Sequence, residues 1–319
     1  GGRGAPTGQV PRGGGHGRGE WHPVAPVGRA CHAADDLQRQ REATLALLAP
    51  TPHDDQRLYF FRLVLLHENM HAEAWSMMAQ ALGINPGDDA SHRMPQRTLS
   101  HQTIDVPSSQ LSLASEPFGF AFDNELGTCM VDVEAFTIDA APVTWARFLP
   151  FVESGGYQTQ RFWTPEGWAW RQSKNAACPR YLQQTYRRSW QQRHFEQWRP
   201  LEQGDPASHL TLHEAQAWCQ WAGRQLPTEA QWHAAQSVCP QFYWGDVWEW
   251  TNTPFGPFDG FEAHPYRDYS KPWFDGRPVL KGASVLTHPT MKHAAYRNFF
   301  EPQRDDVMVG FRSCARPAG

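Results

Sequence analysis

No apolar run approaches the roughly 18 residues that a membrane-spanning helix needs, and the Gly-rich, polar start has no apolar stretch of the kind a secretory signal carries. Net charge is also small. There are 29 Lys and Arg against 33 Asp and Glu, a formal charge of −4, and only 19% of residues are charged. Without a basic surplus, nucleic acid and anionic membrane surfaces are excluded as partners. Cysteine is scarce: the six cysteines have no paired spacing, which excludes a disulfide framework. These absences predict a cytoplasmic protein with reduced thiols. What is abundant is Gly and Pro (26 each), Trp (15) and Phe (18). That composition rules out a coiled coil or simple helical bundle over most of the length. It points instead to irregular loops pinned by aromatic side chains, and 40% hydrophobic residues suffice for a core.

Residues 1–35 are rich in Gly, Pro and Arg and lack apolar periodicity, so a flexible leader is expected. The segment 36–95 begins with two predicted helices. Asp36 is placed to cap the first and Pro50 to stop it. The second starts near Asp54 or Asp55 and ends at Gly83. Its middle, Leu58 to Leu66, is apolar nearly all round, so later parts of the chain or a partner must cover it. A polar linker follows over 84–102. From 103 the short strand candidates TIDVP, CMVDVEAFTID and PVLKGAS alternate with Trp/Gly/Pro loops. Helices are expected at VTWARFLPFVESG, at TLHEAQAWCQWAG (Thr211 as cap, Glu214 completing a capping box) and at TEAQWHAAQ. The reading is an α+β fold.

The chemistry gathers in His67-Glu68-Asn69-Met70-His71-Ala72-Glu73. His67 and His71 stand at i and i+4, on one helical face. Glu73 lies about 200° around from His71 by the 3.6-residue period, which suits support better than ligation. Three readings stay open: two core histidines, a zinc hydrolase with Glu68 as base in the letters HENMH, and a metal site of another kind. Bare imidazoles are costly to bury in so apolar a helix, which favours a metal.

HENMHAE resembles the HxxxHxE motif of the ergothioneine-type sulfoxide synthases and their selenoneine synthase relatives. FAFDNE, PVTWARFLPFVESGGY, EGWAW, EAQAWCQWAGRQLPTEAQW, WGDVWEWT, PYRDYSKPWF, VLKGAS and YRNFFEPQRDDVMVGFRSCA resemble, in order, the second domain of those enzymes. The resemblance implies a partial DinB-like helical segment over 36–95. It implies a C-type-lectin-like domain of the formylglycine-generating-enzyme type over 103–316. It also implies Fe(II), with His67 and His71 as two of three histidine ligands. Nothing before residue 36 resembles the helix that carries the third, which leaves His22 and His32 as candidates and His16 behind them. The implied reaction is O2-dependent oxidative C–S or C–Se bond formation at C2 of the hercynine imidazole, with a sulfur or selenium donor.

By the same resemblance, Tyr266 is assigned to catalysis and Tyr269 to substrate contact. Arg297, Asn298, Phe299, Phe300 and Arg304 line the substrate cleft. Asn298 is assigned to the hercynine carboxylate, Phe299 to the trimethylammonium by cation–π attraction, and Arg304 to a substrate anion. Met70 replaces a polar hercynine contact. Phe300 stands where the user of γ-glutamylcysteine has an acid, which favours cysteine or a selenosugar as donor. Arg312 is read as structural. Cys314 alone in the matching tail speaks against copper-dependent sulfatase activation. The alternatives are a catalytically inactive lectin-like binding module, expected to bind no iron, and the zinc hydrolase, expected to need Glu68 and no O2.

Overall fold

Asp54 opens the histidine helix as its cap, its carboxylate accepting from Arg57 N at 2.9 Å. Gly83 closes it at φ 68°, a left-handed conformation that suits glycine. The computed structural model describes residues 28–87, 99, 101–115 and 119–317, with side chains from Ala34 onward. In chain order the elements are α1 (Gly28–Leu48), α2 (Asp55–Leu82), β1 (Thr103–Val106), β2 (Ser109–Ser112), β3 (Met130–Val133) and β4 (Phe136–Asp139). Then come α3 (Trp145–Glu153), α4 (Pro165–Lys174), β5 (Leu182–Gln184), β6 (Trp190–His194), β7 (Gln197–Pro200), α5 (Leu212–Trp221) and β8 (Arg224–Gln225). The chain finishes with α6 (Glu229–Val238), β9 (Trp248–Pro254), β10 (Pro278–Gly282), β11 (Asn298–Phe299), β12 (Val309–Gly310) and β13 (Cys314–Ala315).

The expected helices form, and Thr211 and Thr228 both make reciprocal capping boxes. Two boundaries differ from the sequence reading. Helix α1 starts at Gly28, so residues 28–35 are helical and Asp36 pairs with Arg39 inside the helix instead of capping it. The reason is local: after Pro26 nothing breaks a helix, and Ala30, Ala33 and Ala34 favour one. Residues 1–27, with His16, Trp21 and His22, lie outside the described residues. The second difference is the grouping of the two helices. The chain divides into compact units between Pro52 and His53, so α2 belongs with the sheets.

Two four-stranded sheets, ordered β1-β4-β13-β8 and β11-β10-β9-β12, form the frame, with the smaller sheets β2-β3 and β5-β6-β7 beside it. Among these ladders β12 runs parallel to β9 and the others are antiparallel. Trp145, Trp232, Trp248 and Trp250 are fully buried. Paired charges sit deep among them. Arg312 takes both carboxylate oxygens of Glu249 and the carbonyls of Asp139, Ala140 and Tyr243, the structural role expected of it. Cys219 is core, as anticipated.

Helix α2 docks one face only. Leu63 and Met77 join the main core cluster, and Glu73, Ser76, Ala79 and Gln80 are buried with them. At its end Gln80 and Arg193 clasp each other. Arg193 Nη2 donates to Gln80 O at 2.6 Å, Gln80 Nε2 donates to Arg193 O at 3.0 Å, and Phe195 N donates to Gln80 Oε1 at 2.6 Å. The later chain thus covers part of the apolar surface, while Phe60, Val64, Trp75, Met78 and Leu82 stay exposed. Among the described residues no helix is long and apolar enough to cross a membrane.

Candidate active site

Helical periodicity brings the rings of His67 and His71 together, 4.4 Å between centroids and edge to face. From the loop before the short turn at Lys271, Tyr266 places its ring 5.5 Å from that of His67. Phe60, Leu63, Val64, Pro265 and Tyr266 surround His67 in an open, largely apolar cleft of about 310 Å³. Burial, then the neighbouring His71, push the His67 imidazole below its ordinary pKa. Neutral nitrogen is the form that binds a metal.

The helix is held in register by Glu73. Its carboxylate is 6% exposed and accepts from Trp248 Nε1 at 2.7 Å, Ser284 Oγ at 2.7 Å and Thr287 Oγ1 at 3.0 and 3.1 Å. Burial raises its pKa, and the three donors oppose that rise. Glu73 therefore turns away from the imidazole pair, the supporting position read from its spacing. Asn69 Nδ2 adds a bond of 3.1 Å to Thr290 Oγ1.

Behind Tyr266 stands a second phenol pair. Tyr269 stacks on Phe122 at 4.3 Å, and its Oη meets Tyr296 Oη at 3.2 Å. Tyr296 Oη also donates to Met70 Sδ at 3.5 Å, and its ring packs against Trp248 at 5.4 Å. Burial, and then each phenol's partner, lift Tyr269 well above the usual tyrosine range. A chain of contacts thus runs from His67 through Tyr266, Tyr269, Tyr296 and Trp248 to Glu73, back onto the same helix. Tyr296, Trp248, Ser284 and Thr287 received no role from the sequence, although YRNFF, WGDVWEWT and VLKGAS contain three of them.

The cleft residues named from the sequence divide. Arg297 has its guanidinium engaged inside the fold. It is buried, with its fork on Glu229 at 2.9 and 3.2 Å and further bonds to the carbonyls of Asn124 and Gly256, because a guanidinium this deep needs an acid beside it. Arg304 has its Nε and Nη2 on Asp306 at 2.6 and 2.9 Å and its guanidinium 5.0 Å over the Phe300 ring. Phe299 has one face on Phe255, 4.2 Å away and nearly parallel. Asn298 Oδ1 accepts from Phe299 N at 2.9 Å. Phe300 is half-buried against the main core. Glu68 is exposed.

Two imidazoles on one face supply two of a three-histidine set and suit a ferrous ion by donor type. Among the described residues no group of three or more His, Cys, Asp or Glu side chains is arranged to hold a metal. His22 and the side chain of His32 lie outside those residues.

The family described as the sulfatase-modifying factor enzyme 1-like domain matches residues 90–244 and 241–317. The hercynine oxygenase of Mycolicibacterium smegmatis is 30% identical over 330 aligned residues, covering 85% of this chain and 75% of that protein. That of Mycobacterium tuberculosis is 29% identical over 326, with the same coverage of 85% and 75%. The formylglycine-generating enzyme of Mus musculus is 26% identical over 172, covering 50% of this chain and 44% of that enzyme. The mixed helix-and-sheet fold with a formylglycine-generating-enzyme-type domain, expected from the sequence, is therefore the fold of this chain.

Proposed function

Since the chain belongs to the sulfatase-modifying factor enzyme 1-like family, in which the hercynine oxygenases are its relatives, we propose that it is an iron-dependent oxidoreductase joining sulfur or selenium to C2 of the hercynine imidazole with O2. The observation that carries this reading is the His67–His71 pair facing Tyr266 across the cleft. In the proposal His67 and His71 hold Fe(II), with the third place for His22 or His32. When bound, the ion supplies the one-electron chemistry that O2 requires. The remaining work falls to the chain's own groups. The apolar walls at Leu63, Val64 and Pro265 offer the reacting atoms a surface poor in competing polar groups. Tyr266 Oη moves a proton at the mouth of the cleft, and Tyr269 and Tyr296 fix the position of that loop through their shared bond. Asn298 keeps its Nδ2 donors for the hercynine carboxylate.

For the donor the proposal favours a selenosugar or cysteine over γ-glutamylcysteine. Phe300 supports this, because it carries no acid to meet the peptide's amine and its ring already lies under Arg304. Turnover of hercynine with each of the three donors, under O2, is the test. Efficient product from γ-glutamylcysteine alone removes the donor preference. Anaerobic Fe(II) titration is the broader test: one equivalent binds to the native chain and less than a tenth as tightly to His71→Ala. No stoichiometric binding by the native chain favours an inactive binding module instead. Loss of turnover in Glu68→Gln, with O2 dispensable, favours the hydrolase.

A further inference from the structure

A second cavity, of about 350 Å³, lies between the turn over Gln160–Phe162, α5, β8 and the residue just past β13. Three arginines line it, Arg161, Arg224 and Arg316, together with the carboxamides of Gln216, Gln225 and Asn252, and no Asp or Glu does. It shares no residue with the cleft beside His67. Its size suits a small ligand.

The positive charge here is not balanced within the fold. Arg224 is the most buried of the three, and it shares Asp139 with Arg147, both at 3.2 Å, so one carboxylate meets two guanidiniums. Arg316 donates to Gln220 Oε1 and, at 3.1 Å, to Arg224 O. Arg161 lies 5.0 Å over the Phe162 ring. Among the described residues neither Arg161 nor Arg316 meets a carboxylate. Like charges gathered around a concavity raise the local concentration of anions.

The neutral lining is equally uncommitted. Among the described residues the carboxamides of Gln216, Gln225 and Asn252 have no hydrogen-bond partner. Gln216 and Gln220 stand at i and i+4 of α5, so both project from one face toward the cavity. Two other polar groups of the wall are already used: Trp163 Nε1 donates to Gly156 O at 2.9 Å, and Thr164 Oγ1 accepts from Gly167 N at 3.1 Å. What the cavity offers a ligand is therefore guanidinium charge and free carboxamides.

We propose that this cavity binds a small phosphorylated polyol of the hexose phosphate kind, its phosphate held by Arg161 and Arg316 beside Arg224 and its hydroxyls by the carboxamides. A phosphate monoester brings close to two negative charges at neutral pH and three acceptor oxygens, enough for two guanidinium forks. Hydroxyls both donate and accept, as carboxamides do. Occupancy of this cavity is independent of what the cleft beside His67 turns over.

Isothermal titration of the full chain with glucose 6-phosphate tests it, with glucose, inorganic phosphate and gluconate as the comparison arms. Glucose 6-phosphate is expected to saturate one site, at least about tenfold tighter than each of the others, a gap of about 1.4 kcal/mol. Arg161→Gln and Arg316→Gln remove the two charges that meet no carboxylate. Each is expected to weaken glucose 6-phosphate at least fivefold while circular dichroism stays native. Gln216→Leu keeps the arginines and removes a hydroxyl partner, so the gap over inorganic phosphate should narrow. The proposal is overturned by glucose 6-phosphate that does not saturate, by native affinity in either arginine variant, or by an unchanged gap in Gln216→Leu. Equal binding of inorganic phosphate overturns it too, because the polyol is then not read. Equal binding of glucose or gluconate does the same by denying the phosphate its part.

Discussion

Glu73 decides more than its place in the motif suggests. A glutamate at 6% exposure whose carboxylate accepts from three side chains of the sheet domain is an anchor, and it lies two residues from His71. Replacing it by Ala leaves the buried indole N–H of Trp248 and two hydroxyls without their acceptor. We expect Glu73→Ala to lose about 1–3 kcal/mol, read from urea unfolding, and, under the proposed function, to weaken Fe(II) binding as the helix shifts. Native stability in that variant would remove the anchor. Tyr296 acts at the same scale, since its one hydroxyl joins Tyr269 to Met70. Tyr296→Phe keeps the ring against Trp248 and removes both bonds. An about tenfold fall in kcat with KM for hercynine unchanged, equal to about 1.4 kcal/mol of barrier, is the expected result; an unchanged kcat shows the bond to be idle. Sequence reasoning could place the histidines because i and i+4 geometry is local. It could not place Tyr296, whose value comes from contacts 27 and 226 residues away.

At the scale of elements, the helices show which signals are readable. Asp54, Thr211 and Thr228 mark helix starts because a cap bonds to a backbone N–H three residues on. Thr164-Pro165-Glu166 carries the same kind of signal, and α4 was overlooked because the Trp-rich stretch after it reads as loop. The β5-β6-β7 sheet was illegible for a different reason. Its strands are Gln- and Arg-rich, without apolar alternation, and pairing alone selects them. That sheet nevertheless holds the end of α2 through Arg193. We expect Arg193→Ala to raise amide hydrogen exchange over residues 76–82 at least tenfold while the start of α2 keeps its protection. Uniform protection along α2 would show the clasp to be dispensable.

Across the whole molecule, buried ionisable groups set the pH response. Burial, then Arg199, hold His194 at about 4; burial, then His194, hold His209 at about 3. Unfolded, each takes a proton near the ordinary imidazole pKa of 6.5. The unfolded state therefore binds more protons across the interval below that, and stability falls as pH drops from 6.5 toward 4. Burial raises Glu125 and Glu214 to about 7 from 4.5, so they keep protons in the fold that the unfolded chain releases, and their contribution falls as pH rises through that range. The two effects oppose each other over nearly the same interval, so variants separate them in urea midpoints measured across about pH 4–8. Relative to the native chain, His194→Gln should gain stability as pH falls from 6.5 toward 4, and Glu214→Gln should lose it as pH falls from 7 toward 4.5. A His194→Gln profile parallel to the native one would contradict the assignment.

The sequence by itself determined the α+β class, the capped helices and the imidazole pair, because caps, breakers and i, i+4 spacing act within a few residues of chain. Tertiary structure decided how the arginines are paired. Arg297 is buried on Glu229, 68 residues away, since a buried guanidinium requires a counter-charge, while the part-exposed Arg304 takes Asp306 two residues on. It also decided that α2 belongs to the sheet domain, through a carboxylate whose partners lie 175 to 214 residues further on. No local pattern encodes such pairings; they exist only once burial makes an unmet hydrogen bond expensive.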